Sequence, residues 1–231
     1  MKTRLQKYMR DCLGVSRRKE EDFIKNGRVT VNAQAAKLGT VIDSDIDKVF
    51  VDSKELKLHS KPIYIMLNKP AGFVTTRFDP QMRKTVYDLL PKNFKELFPV
   101  GRLDYDTEGL LLLTNDGDFT YKLTHPKFEI EKEYEVVLDK KVSYKQISQI
   151  EQGVKSALIN TAPAKVKVLN DKKLNLIIHE GQKREIKLIF RVFGIEVQSL
   201  KRVRIKKLYL GNLPIGKWRH LDSIEVNLLK N

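Results

Sequence analysis

The chain has 231 residues, 41% of them hydrophobic and 32% charged, enough apolar material for a sizeable core in one or two domains and too much for a disordered chain. A single cysteine, Cys12, excludes an internal disulfide or a multi-cysteine metal site and fits a reducing cytoplasm, and no apolar run approaches the ~20 residues of a membrane span. The net charge of +15 favours a polyanionic partner, because each phosphate neutralised by Lys or Arg releases a counterion.

Residues 1 to about 58 read as a small α/β module. Leu5, Tyr8, Met9 and Cys12 recur at helical spacing up to a Gly14 break. Ser16 is then placed to cap a second helix that carries Arg17, Arg18 and Lys19 in its first turns, turns Phe23 and Ile24 inward and ends at Gly27. Val29 and Val31 alternate with polar residues as a strand, and Val49 and Val51 suggest another. Basic residues at a helix start oppose the helix dipole, by roughly 0.3–1 kcal/mol each when exposed, a cost that makes sense where an anion docks. By charge alone, a solvated face paired with Glu20, Glu21 and Asp22 explains them equally well.

Pro62 marks a junction, and the second domain is taken as residues 61–231. Strands are expected at YIMLN, FVTT, LLLLT, EYEVVL, KVKVL, LNLIIH and VQSLKRVRI, and helices at GDFTYKLT, YKQISQIEQG and QKREIKLIFRVF. This irregular order predicts an α+β fold with a mixed, mainly antiparallel sheet rather than a doubly wound one. Between Lys165 and Lys207 there are thirteen Lys and Arg against four Asp and Glu, so most of the basic excess lies in one stretch.

The sharpest signal is FPVGRLDYDTEGLLLLTNDG. An extended FPV leads to a Gly101 turn, then Arg102, Asp104 and Asp106, ahead of a buried strand. Asp104 thus sits in a loop at the mouth of the strongest core strand, rigidly held yet reachable. Most loop aspartates only cap local N–H groups, the reading kept for Asp106 and Asp116. On the expected 182–193 helix, Arg184, Lys187 and Arg191 share one face, and Ile186, Ile189, Phe190 and Phe193 supply the apolar one. The four histidines, 59, 125, 179 and 220, show no metal-ligand spacing, and there is neither a hydrolase triad motif nor a phosphate-binding glycine loop.

The order LQKYM helix, SRRKxE, NGRV and VTVN resembles the S-four-type RNA-binding domain over nearly all of residues 3–56, with Ala33 where that family usually has Gly. GRLD followed by xxTxGLLLLTxDG resembles the catalytic signature of the RsuA/RluB-type pseudouridine synthases. LNKPAG, HPKFEIEKEYEV, EGQKREIKLIFRVFG and LKRVRIKKLYLGNLPIGKWRHLD extend that likeness over residues 63–222. The resemblance implies isomerisation of a uridine in ribosomal RNA: the bond from uracil nitrogen to ribose breaks, the base turns, and a carbon bond replaces it. No cofactor and no metal are implied, since nothing is oxidised or added. The implied carboxylate is Asp104, acting on either sugar or base, and Lys187 is the implied cation that keeps it ionised in a dry pocket. Tyr134 is implied to stack on the uracil, and Arg102 to wedge into the space left by the extruded base.

Lys69 is assigned a structural or phosphate contact. Arg184, Arg17, Arg18, Lys19 and Arg28 complete the expected RNA-binding set. Lys183, Glu185 and Leu188 depart from the family pattern, where Asn, Gln and a second basic residue are common. The expected protein is a cytoplasmic monomer, its partner ribosomal RNA, with the large subunit favoured by HPKFEIEKEYEV and KREIK and the small subunit the alternative. A non-catalytic RNA-binding ribosome-assembly factor is the competing class. A glycosidase lacks a convincing second carboxylate, because Asp106 and Glu108 fit turn and strand-entry positions.

Overall fold

The computed structural model describes residues 2–13, 17–57 and 62–231. The expected Gly14 break and Ser16 cap, the Arg17 side chain and residues 58–61 of the junction lie outside the described residues. The chain forms two compact units. The first comprises residues 1–63 with two short pieces, Glu96–Phe98 and Asn115–Gly117, and the second holds the remainder.

In the first unit, β1 (Lys2–Arg4) leads into α1 (Leu5–Leu13), followed by α2 (Arg17–Lys25). The strands β2 (Val29–Val31), β3 (Gln34–Ala35), β4 (Val41–Asp43), β5 (Val49–Val51) and β6 (Lys54–Glu55) follow, and β3-β2-β5-β6 form one small sheet. Leu5, Tyr8, Met9 and Cys12 are the buried stripe of α1 and pack with Ile24, Val29, Ile42, Val49 and Val51. Gly27 ends the α2 segment at φ +67, where a residue without Cβ is unstrained. The β2–β3 turn has φ 49 at Asn32 and 66 at Ala33, so the chain keeps a left-handed two-residue turn even though alanine replaces the usual glycine.

The second unit is built on one sheet. Its strands are β7 (Tyr64–Lys69), β8 (Glu108–Thr114), β9 (Lys132–Leu138), β10 (Lys165–Asn170), β11 (Lys173–Ile178), β12 (Val197–Ile205), β13 (Leu208–Tyr209) and β14 (Trp218–His220). The spatial order is β10-β11-β9-β12-β8-β7-β14, with β13 folded back on β12. The β12–β8 pair is parallel and its neighbours are antiparallel, so the sheet is mixed and mainly antiparallel. All six residues of β7 are buried, as expected for a central strand covered on both faces.

Two helices, α3 (Gly117–Thr124) and α6 (Ser223–Lys230), contribute Phe119, Leu123, Val226 and Leu229 to a core with Tyr64, Met66, Leu110 and Leu112. The remaining helices are α4 (Tyr144–Gln152) and α5 (Glu185–Val192). The FVTT segment is not a ladder strand but contributes a single bridge, Val74 to Thr85. Gly109 opens β8 at φ +103, where a Cβ would lie 2.2 Å from the Arg202 carbonyl oxygen, so only glycine admits the close parallel approach of β12.

Candidate active site

The segment Gly101–Thr107 enters β8 as a loop fixed from beneath by one side chain. Lys69, the last residue of β7, is fully buried, and its Nζ donates to the carbonyl oxygens of Pro70 (3.0 Å), Asp104 (3.0 Å), Tyr105 (3.4 Å) and Thr107 (2.8 Å). Burial pushes this ammonium down to about 8, against the pull of Asp106, Glu108 and Asp104. The loop is tied from the side as well. The Thr75 hydroxyl donates to Leu103 O at 2.8 Å, and Gly72 N donates to Tyr105 O at 2.8 Å. Lys69, expected as a possible RNA contact, is therefore corrected to an internal anchor: enclosed and saturated with carbonyls, its ammonium cannot reach a phosphate.

With its backbone held this way, Asp104 is exposed and lines a cavity of about 270 Å³ together with Arg102, Tyr134, Lys183 and Arg184. Tyr134 is 8% exposed, on β9 between Leu176 and Arg202 of the flanking strands. The tyrosine and the aspartate thus face one cavity, as the sequence predicts. Two other expectations are corrected. The Asp104 carboxylate is not enclosed in a dry pocket, and Lys187 does not pair with it. The Lys187 Nζ pairs with Asp106 Oδ1 instead. The reason is the turn after Asp104, closed by Thr107 N donating to Asp104 O at 3.1 Å, which carries the chain on to Asp106 and its contact with α5. Burial alone would push the Asp106 carboxyl up, but the hydrogen bond and charge of Lys187 outweigh it and hold it below its ordinary value.

The expected 182–193 helix starts only at Glu185, because Arg184 takes a left-handed conformation at φ 57. This leaves Gln182, Lys183 and Arg184 as a loop along the cavity. Glu185 is 5% exposed, and its Oε2 accepts a 3.0 Å hydrogen bond from Gln182 N. Burial pushes its carboxyl up to about 7. A second cavity, about 330 Å³, shares Gly101, Arg102 and Tyr134 with the first and is also lined by Lys132 and Arg202. Lys132 donates to Ile130 O (3.1 Å) and Glu180 O (3.2 Å), and burial pushes it down to about 8.

Arg202 is 2% exposed; its Nε donates to Leu110 O at 2.8 Å, while its Nη2 is buried without a hydrogen-bond partner. Sequence reasoning missed Arg202 and Glu185, and it took Asp106 for a mere turn residue. A signal for Arg202 was present, since the period of two from Leu200 places residues 202 and 204 on the buried face of β12.

In the first unit Arg18 and Lys19 are exposed on α2. Arg28, expected to face RNA, is exposed at the surface, where its guanidinium grips both oxygens of Asp52 and lies 4.5 Å from the Phe23 ring centroid. His125 accepts from Lys127 N at 3.3 Å and packs against Tyr121 with the two rings tilted, a structural placement. Among the described residues no cluster of three His, Cys, Asp or Glu side chains could hold a metal ion, and no helix is long and apolar enough to cross a membrane.

The arrangement is a reachable carboxylate on a rigid loop, an aromatic ring facing the same cavity, and cations around the mouth. It suits a planar, polar ring attached to a phosphodiester. Comparison with known proteins agrees. The RNA pseudouridylate synthase family matches residues 63–191. A Bacillus subtilis protein named ribosomal large subunit pseudouridine synthase B is 40% identical, over 98% of this chain and 95% of its own. A Vibrio cholerae protein named ribosomal small subunit pseudouridine synthase A is 35% identical, over 96% of this chain and 97% of its own. A crystal structure of a pseudouridylate synthase superposes with a TM-score of 0.73 at 32% identity, covering 98% of this chain and 99% of that one. The chain belongs to the RNA pseudouridylate synthase family.

Proposed function

We propose that this protein isomerises a uridine of ribosomal RNA, in the large subunit, to pseudouridine, as a cytoplasmic monomer. The observation that carries the reading is the Asp104 carboxylate facing the cavity that Tyr134 lines, on a loop that the Lys69 ammonium holds still. In this reading Asp104 reacts with the target nucleotide, while Tyr134 stacks on the uracil. Arg102 and Arg184, at the cavity wall, contact the RNA backbone, and Lys187 serves the site by fixing Asp106 and with it the turn that follows Asp104. The overall change moves one proton: the carbon that joins the ribose loses a hydrogen and the freed ring nitrogen gains one, so no redox partner is needed. Arg17, Arg18 and Lys19, in an S-four-type module, hold a second stretch of the RNA.

The large subunit is preferred because the Bacillus subtilis relative at 40% identity carries that name. The small-subunit reading rests on the Vibrio cholerae relative at 35%. Mapping pseudouridines in both ribosomal RNAs from cells with and without the gene decides between them. Asp104→Asn should abolish product on transcribed ribosomal RNA and leave RNA affinity within a few-fold. Unchanged product would remove Asp104 from the chemistry, and a wild-type protein that binds RNA without forming pseudouridine would favour an assembly factor.

A further inference from the structure

Two highly exposed apolar side chains of the second unit lie in a loop tied to the segment that carries Asp104. Met82 is 94% exposed and Phe78 77%, both in the loop Thr76–Lys84. Met82 also sits at φ 54, a left-handed conformation that an L-residue with a long side chain rarely adopts. Neither burial nor backbone preference explains a methionine there.

The loop is braced rather than loose. The Asp79 carboxylate, 9% exposed, accepts from Arg83 through Nε (2.9 Å), Nη2 (2.7 Å) and the backbone N (3.0 Å). Met82 N donates to Asp79 O at 3.0 Å, and the Thr76 hydroxyl donates to Phe78 O at 2.8 Å. The two apolar side chains are thus presented on a closed turn.

The base of this loop is tied to the segment that carries Asp104. Thr75 and Leu103 exchange two hydrogen bonds, of 2.8 and 3.3 Å, and the Arg83 guanidinium lies 5.8 Å from the ring centroid of Tyr105, the next residue after Asp104. Arg77, Arg83 and Lys84 surround the tip with only Asp79 against them, so its charge suits a phosphate backbone rather than a basic protein.

We propose that this loop is a wedge that enters the RNA next to the target uridine, with Phe78 and Met82 occupying the stacking position that the extruded base leaves. The inference rests on the uridine-isomerase reading and adds a residue pair to it. A base taken out of a stack leaves its neighbours unstacked, and apolar side chains inserted at such a step offset that loss. Arg102, the wedge expected from the sequence, then holds phosphate at the cavity wall, and the wedge is supplied from the neighbouring loop.

The test compares the wild type with Phe78→Ala/Met82→Ala on two substrates: a stem-loop holding the target uridine, and a short single strand of the same sequence with no stack to open. The double variant should lose about tenfold or more in turnover on the stem-loop, the scale of one lost stacking contact, and stay within about twofold on the single strand. Phe78→Leu with Met82 intact should recover most of the rate. In an Asp104→Asn background, 2-aminopurine placed beside the target should brighten on binding, and the double substitution should suppress that rise. This fluorescence signal reads the wedge even if no pseudouridine forms, so failure of the isomerase reading remains distinguishable. Equal turnover of wild type and double variant on the stem-loop, an equal loss on both substrates, or an undiminished 2-aminopurine signal would overturn the proposal.

Discussion

Replacing Lys69 by methionine is the most informative perturbation of the site, because the side chain never meets solvent and yet fixes the loop that presents Asp104. The fall of its ammonium from 10.5 to about 8 corresponds to roughly 3 kcal/mol of burial cost that the nearby carboxylates do not recover. Against this stand donations to the carbonyls of Pro70, Asp104, Tyr105 and Thr107. Charge-assisted hydrogen bonds of this kind contribute about 1.5–3 kcal/mol each. Methionine fills a similar volume and removes the burial cost, but it takes the Lys69 donor from the Pro70 and Thr107 carbonyls, at about 1–3 kcal/mol apiece, whereas Asp104 O and Tyr105 O keep Thr107 N and Gly72 N as donors. The opposing quantities nearly cancel, so folding stability should fall by no more than about 3 kcal/mol, a change that urea unfolding measures.

The catalytic effect should be larger than the stability effect. A displacement of Asp104 by ~1 Å suffices for a loss of roughly 10²-fold in turnover. The assay is pseudouridine formation under saturating RNA, with the folded fraction checked at the same temperature. Lys69→Met that remains folded and turns over at the wild-type rate would refute the claim that the buried ammonium positions the loop.

Other consequences follow from the same geometry. The Glu185 carboxyl, pushed up to about 7 from 4.5, keeps its proton in the folded state through that window while the unfolded chain releases it. Stability contributed by this group therefore falls as pH rises from about 4.5 to 7. Glu185→Gln should accordingly melt like the wild type at pH 4 and be more stable at pH 8, by roughly 3 kcal/mol at most, and a difference independent of pH would contradict this. Asp106→Asn removes the partner of Lys187. Because the Asp106 side chain is 57% exposed, the solvent-screened cost is only about 1 kcal/mol at neutral pH. The Asp106 carboxyl is held below its ordinary 3.8, so this contribution is complete above that value and disappears as pH falls through the lowered one, which acid titration of both proteins will show. RNA binding should weaken steeply with salt. With ~5 phosphates contacted, the log–log slope is about −4.5, and a flat response would argue against RNA as the main partner.

Much of the architecture was legible because periodicity reports burial directly. The stripe of Leu5, Tyr8, Met9 and Cys12 marks α1, and the run GLLLLT marks a strand covered on both faces. Gly109 illustrates a residue whose reason is invisible in one dimension: it must be glycine because the Arg202 backbone lies against it, 93 positions away in the chain. The start of α5 was misplaced because helical spacing runs on through Gln182 and Lys183, while the left-handed turn at Arg184 leaves no apolar trace. The FVTT segment shows the converse, a strand-like composition spent on a single bridge and on Thr75 holding Leu103.

The sequence alone determined the mainly antiparallel α+β class, the basic character, the loop that carries Asp104 and the strand that carries Tyr134. These depend on local order: which residues follow one another, and at what period. Only the tertiary structure decided that Lys187 meets Asp106 instead of Asp104, that Lys69 turns inward to hold four carbonyls, and that Asp104 stands exposed at a cavity. Charge pairing is set by distances of a few ångströms between distant segments, and a Coulomb attraction that is the same for either aspartate in the sequence is settled by which way one turn directs its side chains.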